Sequence, residues 1–178
     1  YVRTPTPTII GPTPRWGFLA DTYTPVPLYI NTPHPVVEAY RAGIRAFEKS
    51  DWESMLDYMD QASTIDATSP DLFYYKGEAY RLLGDPQSAV IAFNKALDIN
   101  PRFAPAFLGR AFAYQAINPK SEIEGELNYA IEYDPYYVDA YLARAVNRIK
   151  NGNPQGALED LLAAESLFPD HPMVYVLR

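Results

Sequence analysis

Few side chains in this sequence are placed to do covalent chemistry. Its two histidines, His34 and His171, each precede a proline and stand far apart in the chain. A histidine acting as base or metal ligand needs a nucleophile or second ligand at a fixed spacing. Neither has one, and no Ser/His/Asp set, paired-His spacing or Gly-rich phosphate loop is present. Cysteine is absent, which excludes disulfides, thiolate metal sites and thiol nucleophiles. The acidic pairs Glu122/Glu126 and Glu159/Asp160 offer paired carboxylates, but they read as solvated faces of helices. No catalytic residue, cofactor or metal is expected, and the chain is not expected to be an enzyme. The remaining candidate chemistry is modification. Thr4, Thr6, Thr8, Thr13, Thr22, Thr24 and Thr32 lie among prolines, as in O-glycosylated stalks.

The composition narrows the partners. The formal net charge is −7 and no basic stripe is present, so the clustered cations that neutralise phosphate are missing and nucleic acid is not an expected partner. No apolar run approaches the roughly 20 residues of a membrane-spanning helix. The chain starts at Tyr1, and 8 of its 17 prolines fall in residues 1–35. A processed start and a Pro/Thr-rich beginning favour an extracellular or cell-surface setting over a cytoplasmic one.

Residues 1–35 form one compositional block. Proline fixes φ, removes a backbone donor and pushes the residue before it towards extended conformations. An extended, polyproline-like arm without a core of its own is expected. The arm also carries Ile9, Ile10, Trp16, Phe18, Leu19, Tyr23, Leu28, Tyr29 and Ile30, more apolar surface than a spacer needs. These are its expected anchors on another surface.

From residue 36 onward the sequence repeats every 34 residues. Gly43, Gly77, Ala111 and Ala145 form one column; Ala62, Ala96, Ala130 and Ala164 another; Pro101, Pro135 and Pro169 a third; Phe73, Phe107, Tyr141 and Tyr175 a fourth. A fixed period of this length denotes a stacked array of hairpins, each unable to bury its apolar face alone. The repeats run 36–69, 70–103, 104–137 and 138–171, with 172–178 opening a fifth. Each divides into two helices, A and B. In the second repeat they cover about 71–83 and 87–99. Asp85-Pro86, Asn118-Pro119 and Asn153-Pro154, with Asp51 in the first repeat, mark where helix B should start: Asx caps a helix N-terminus and proline suits its first turn.

Phe73, Gly77, Tyr80, Ala89, Phe93, Ala96 and Pro101 of the second repeat resemble the signature of the tetratricopeptide repeat. The third repeat keeps Phe107, Ala111, Tyr114, Ala130 and Pro135, with Ile123 where alanine is usual. The fourth keeps Tyr141, Ala145, Ala157, Ala164 and Pro169, with Arg148 where tyrosine is usual. The resemblance implies an all-α solenoid of four helix-turn-helix repeats plus a partial fifth, and a non-enzymatic protein-interaction module.

In that family, helix A lines a concave groove. The positions implied here include Tyr40, Ile44, Phe47, Tyr74, Tyr75, Leu108, Phe112, Leu142, Val146 and Ile149, a nearly continuous apolar stripe. Such a stripe marks a binding or covered surface, and aromatic-lined grooves suit proline-rich extended ligands. The Lys/Asn/Arg clamp with which family members grip a peptide C-terminus has no counterpart, since Tyr40, Ile44, Tyr75, Pro105 and Gly109 stand at the matching positions. Two functions remain open. One is self-assembly, in which the arm of one copy enters the groove of a neighbour and builds a head-to-tail filament. The other is an adaptor for a foreign peptide, with the arm as linker or autoinhibitor. An array continuing past Arg178 in a larger scaffold is a third possibility.

Overall fold

The computed structural model describes residues 35–169 and Val176. Among the described residues there are eight helices and no strands: α1 (Pro35–Glu48), α2 (Trp52–Ile65), α3 (Pro70–Leu82), α4 (Pro86–Ile99), α5 (Ala104–Ile117), α6 (Glu124–Tyr133), α7 (Val138–Lys150) and α8 (Pro154–Leu167). Each helix packs on its chain neighbours, and α3 also touches α5. The odd helices are the A helices of the repeat and the even ones the B helices. Short connections make neighbours antiparallel, so all odd helices start at one edge of the array. The helices expected near 71–83 and 87–99 are α3 and α4, each end within one residue of its expected place. The arm and most of the partial fifth repeat lie outside the described residues.

The turns repeat with the sequence. Between α3 and α4, Gly84 takes φ 83°, its N–H donates to the Arg81 carbonyl, and Asp85 N–H donates to that of Tyr80. This is a Schellman closure in which a left-handed residue ends one helix. The next residue then starts the following one: the Asp85 carboxylate accepts from Ser88 N–H at 3.1 Å. Ser50 with Asp51, and Gly152 with Asn153, build the same joint 34 residues before and 68 after. Bonding to the side chains and amides of Ser54 and Ser88 holds the Asp51 and Asp85 carboxyls below their ordinary values.

Asn118-Pro119 does not start a B helix, contrary to the sequence expectation. Asn118 occupies the phase of Gly84, one place too early for a cap. Proline after it forbids the left-handed turn and holds Asn118 extended, at φ −143° and ψ 109°. The chain runs on through Ser121, whose N–H and hydroxyl bond back to Asn118 and Tyr114. Helix α6 begins only at Glu124 and has 10 residues, against 14 in each other even helix. Ile123, buried where the second and fourth repeats place alanine, fills the gap left by the missing turn.

Size complementarity sets the distance between helices. Ala62, Ala96, Ala130 and Ala164 are all fully buried. The Phe93 ring lies against both Gly77 of α3 and Gly109 of α5; a Cβ on either glycine would fall 2.5 Å from the ring. Met59 fills the same place beside Gly43. At the corresponding positions further on, Leu127 and Leu161 replace the longer side chains, and Ala111 and Ala145 replace the glycines. Filling one space with a constant total volume preserves interior packing density.

Candidate peptide-binding face

The odd helices carry all ten side chains assigned to the groove, but exposure divides them. Tyr40, Tyr74, Tyr75, Leu108 and Leu142 are buried. Ile44, Phe47, Phe112 and Val146 are half-buried, and Ile149 is 44% exposed. The continuous exposed stripe expected from sequence is thus partly interior. The reason is aromatic interlock between adjacent A helices. Tyr75 of α3 packs edge-on against Tyr40 and Phe47 of α1, at centroid distances of 5.8 and 6.3 Å. Tyr74 turns towards α4 and the next repeat, meeting Phe93 at 6.0 Å and Phe103 at 5.7 Å. Edge-to-face rings at such distances add to their area burial.

What stays accessible forms two columns. Ile44, Glu78, Phe112 and Val146 stand 34 residues apart, as do Phe47, Arg81, Gln115 and Ile149. The second repeat interrupts both with an ion pair: Arg81 donates to Glu78 at 2.7 and 3.2 Å and lies 5.9 Å from the centre of the Phe112 ring. Glu78 holds the guanidinium charged although burial opposes the charge. Close by, burial pushes the Tyr74 and Tyr137 hydroxyls well above their ordinary pKa, and burial raises the Asp139 carboxyl to about 7. The face therefore presents apolar ridges, fixed phenols and one satisfied ion pair, a set able to line an extended chain.

The sequence reading missed a second set of residues. Lys76, Arg110 and Arg144 are 34 apart, and each cation sits over an aromatic ring three residues before it, Phe73, Phe107 or Tyr141, at 5.5, 5.2 and 5.7 Å. Each also reaches the preceding B helix: Lys76 pairs with Asp60 at 2.5 Å, Arg110 donates to Asn94 at 2.7 Å, and Arg144 to Asn128 at 2.8 Å. Arg110 and Arg144 further pair with Glu126 and Asp160 of their own B helices, at 2.8 and 2.6 Å. Neither Glu126 nor Asp160 is the solvated carboxylate expected from sequence. Asp160 is 2% exposed and also takes a bond from Arg148 at 3.0 Å. Arg148, the departure from the usual tyrosine, pairs with Glu124 as well and donates to the Gly156 carbonyl. The sequence carries this set as a repeat column of cations three residues after the ring column, a signal that could have found it.

The arm anchors, the arm threonines, His34 and His171 lie outside the described residues. Among the described residues no cluster of three or more His, Asp or Glu side chains could hold a metal ion, and no helix is long and apolar enough to cross a membrane.

The tetratricopeptide repeat family model matches residues 70–103, α3 and α4 with their turns. The fold is that of a thermophilic tetratricopeptide repeat protein of Thermus thermophilus, with TM-score 0.71 and 18% identity, over 80% of this chain and 78% of that one. The chain carries a tetratricopeptide repeat and folds as a tetratricopeptide-repeat solenoid. The first repeat domain of Spaghetti (RPAP3), solved with an HSP90 peptide, shares the fold at TM-score 0.61 and 19% identity, over 66% of this chain and 94% of that one. By sequence, the chain is 31% identical over 100 residues to a DnaJ homolog subfamily C member 7 homolog of Dictyostelium discoideum, covering 54% of this chain and 19% of that protein. The chain spans about a fifth of the length of the curated relatives it matches. Tetratricopeptide repeats form a protein-interaction fold that is generally non-enzymatic.

Proposed function

We propose that this tetratricopeptide-repeat solenoid is an assembly subunit whose A-helix face receives an extended, proline-rich segment, namely the N-terminal arm of a neighbouring copy. The accessible columns on the odd helices carry the reading. Ile44, Phe112, Val146, Phe47 and Ile149 keep apolar surface partly open, which a solenoid face without a ligand does not need. The arm offers the complement: prolines that lower the entropy lost on docking, and apolar anchors between them. A heterologous contact of this kind repeats without closing and yields a head-to-tail filament. The arm threonines would then carry O-glycans at a cell surface, a point that intact mass of protein from its native source decides.

Deleting residues 1–34 tests the assembly. Sedimentation of the full chain should show concentration-dependent growth, and the deletion should remain a folded monomer by circular dichroism. A full chain that stays monomeric at high concentration overturns the proposal. The second reading, an adaptor for a foreign peptide, is favoured by the peptide complex of the Spaghetti repeat domain. In that case the deletion should keep or gain binding to peptides.

A further inference from the structure

The third repeat carries aromatic rings that its neighbours lack. Tyr129, Tyr133 and Tyr136 stand where the second repeat has Lys95, Ile99 and Arg102, and the fourth has Ala163, Leu167 and Asp170. Tyr133 keeps an apolar column shared with Ile65, Ile99 and Leu167 and packs on the core, but Tyr129 and Tyr136 are aromatic in this repeat alone and core packing does not call for them. Tyr129 and Tyr133 stack nearly parallel at 6.1 Å and both lean on Phe107. Tyr129 is 48% exposed and Tyr136 64%. Tyr133 and Tyr136 border an open cleft of about 240 Å³, lined also by Arg102, Pro105 and Pro135 and chiefly apolar.

We infer that this cleft is a second docking point for the arm of a neighbouring copy, separate from the A-helix groove. The inference rests on the proposed self-assembly and adds the place where the arm is clamped. Three observations select this occupant. Aromatic walls with proline rings between them suit a polyproline segment, whose backbone is already extended. The cleft lies where α5 starts and α6 ends, the edge at which every odd helix begins and at which Pro35 joins the arm to α1. An arm leaving one copy there need not cross the array to reach it. Length and charge agree. Thirty-four residues in polyproline geometry span about 105 Å, whereas four hairpins stacked at about 10 Å each extend roughly 40 Å. An arm in that geometry would overrun its own array. With Arg3 and Arg15 against Asp21 it is also cationic by one charge, facing a remainder of −8.

Site-specific photo-crosslinking in the full chain tests the inference. A benzophenone side chain replaces Tyr136, and in a parallel protein Phe112 of the groove. Labelled and unlabelled copies are mixed so that mass spectrometry separates bonds between copies from bonds within one. The expected result is a crosslink from position 136 to residues 1–34 of another copy. Crosslinks from 112 to the arm with none from 136 would overturn the inference and leave the groove reading standing. No arm crosslink from either position would overturn both. Crosslinks from 136 within one copy alone, or to residues outside the arm, would also overturn it. Tyr136→Ala, at an exposed position, should keep the melting temperature of the parent and raise the concentration needed for assembly about three- to tenfold. An unchanged assembly concentration counts against the clamp.

Discussion

The guanidinium of Arg144 meets the carboxylate of Asp160 at 2.6 Å, tying α7 to α8 through a group only 2% exposed. Arg148 shares the same carboxylate. Removing one partner of a buried ionic cluster costs more than the cluster contributes, because the remaining charges stay desolvated. Asp160→Ala leaves two arginines without this acceptor, and a loss of about 3 kcal/mol is expected. Glu159→Ala, on the exposed side of the same helix, should change stability by less than about 0.5 kcal/mol. Urea unfolding of both variants checks the contrast, and equal effects would refute it.

Gly77 and Gly84 are glycines for different reasons, and substitution should separate them. Gly77→Ala forces a methyl group to within 2.5 Å of the Phe93 ring, an overpacking expected to cost about 1–3 kcal/mol. Gly84→Ala meets no atom within 4 Å, yet its φ is 83°, so it should cost about 1 kcal/mol through backbone strain alone. Ser50 occupies the same turn at φ 57°. Ser50→Gly should therefore stabilise the chain, by several tenths of a kcal/mol. Pairing Gly77→Ala with Phe93→Leu should recover part of the loss, whereas Gly84→Ala with Phe93→Leu should be additive. Denaturant midpoints of the single and paired variants measure both terms.

The legibility of this chain follows from which physics each residue obeys. Phe93, Gly77 and Ala96 obey close packing between helices at a fixed period, so columns of large and small residues reveal the hairpins directly. Asn118-Pro119 carries the right residues one place early. A residue-type reading accepts it as a cap, while the dihedral restriction before proline makes it an extended linker and shortens α6. Tyr74 and Tyr75 both read as groove residues, but two adjacent rings on one helix turn into different interfaces. Asp160 reads as surface because burial of a carboxylate depends on Arg144 and Arg148, 16 and 12 residues away. Pairings between helices decide such cases, and amphipathic pattern within one helix does not register them.

Burial raises the Asp139 carboxyl to about 7, from 3.8 in an unfolded chain. Between those values the folded protein binds the proton and the unfolded chain does not. Stability must then fall as pH rises from about 4 to about 7, and this contribution levels off above. The full interval bounds the loss at about 4 kcal/mol. Asp51 and Asp85 act in the opposite direction and at lower pH: their carboxyls are held below the ordinary value, so their contribution is present above about pH 4 and is lost on acidification. Asp139→Asn should accordingly flatten the stability profile between about pH 4 and pH 7 and leave the limb below it unchanged. Denaturant midpoints across that range measure it, and a parent profile that is already flat would refute the assignment.

Asn147 of α7 is 4% exposed, and its Nδ2 is the one buried side-chain nitrogen or oxygen without a hydrogen-bond partner among the described residues. At the same phase α3 and α5 carry Ala79 and Ala113, both fully buried. A buried amide donor without an acceptor costs about 1–3 kcal/mol, while the side-chain volume it fills contributes in the other direction. Alanine already fits this position in two repeats of the same geometry, so the desolvation cost should prevail. Asn147→Ala is expected to stabilise the protein by about 1 kcal/mol, or roughly 2–4 °C in melting temperature for a chain of this size. Asn147→Asp, which moves a charge into the same space, should destabilise it by more than that at neutral pH. Calorimetry of the two variants decides the matter. A destabilised alanine variant would mean that the volume filled by the side chain outweighs the cost of its unpaired donor.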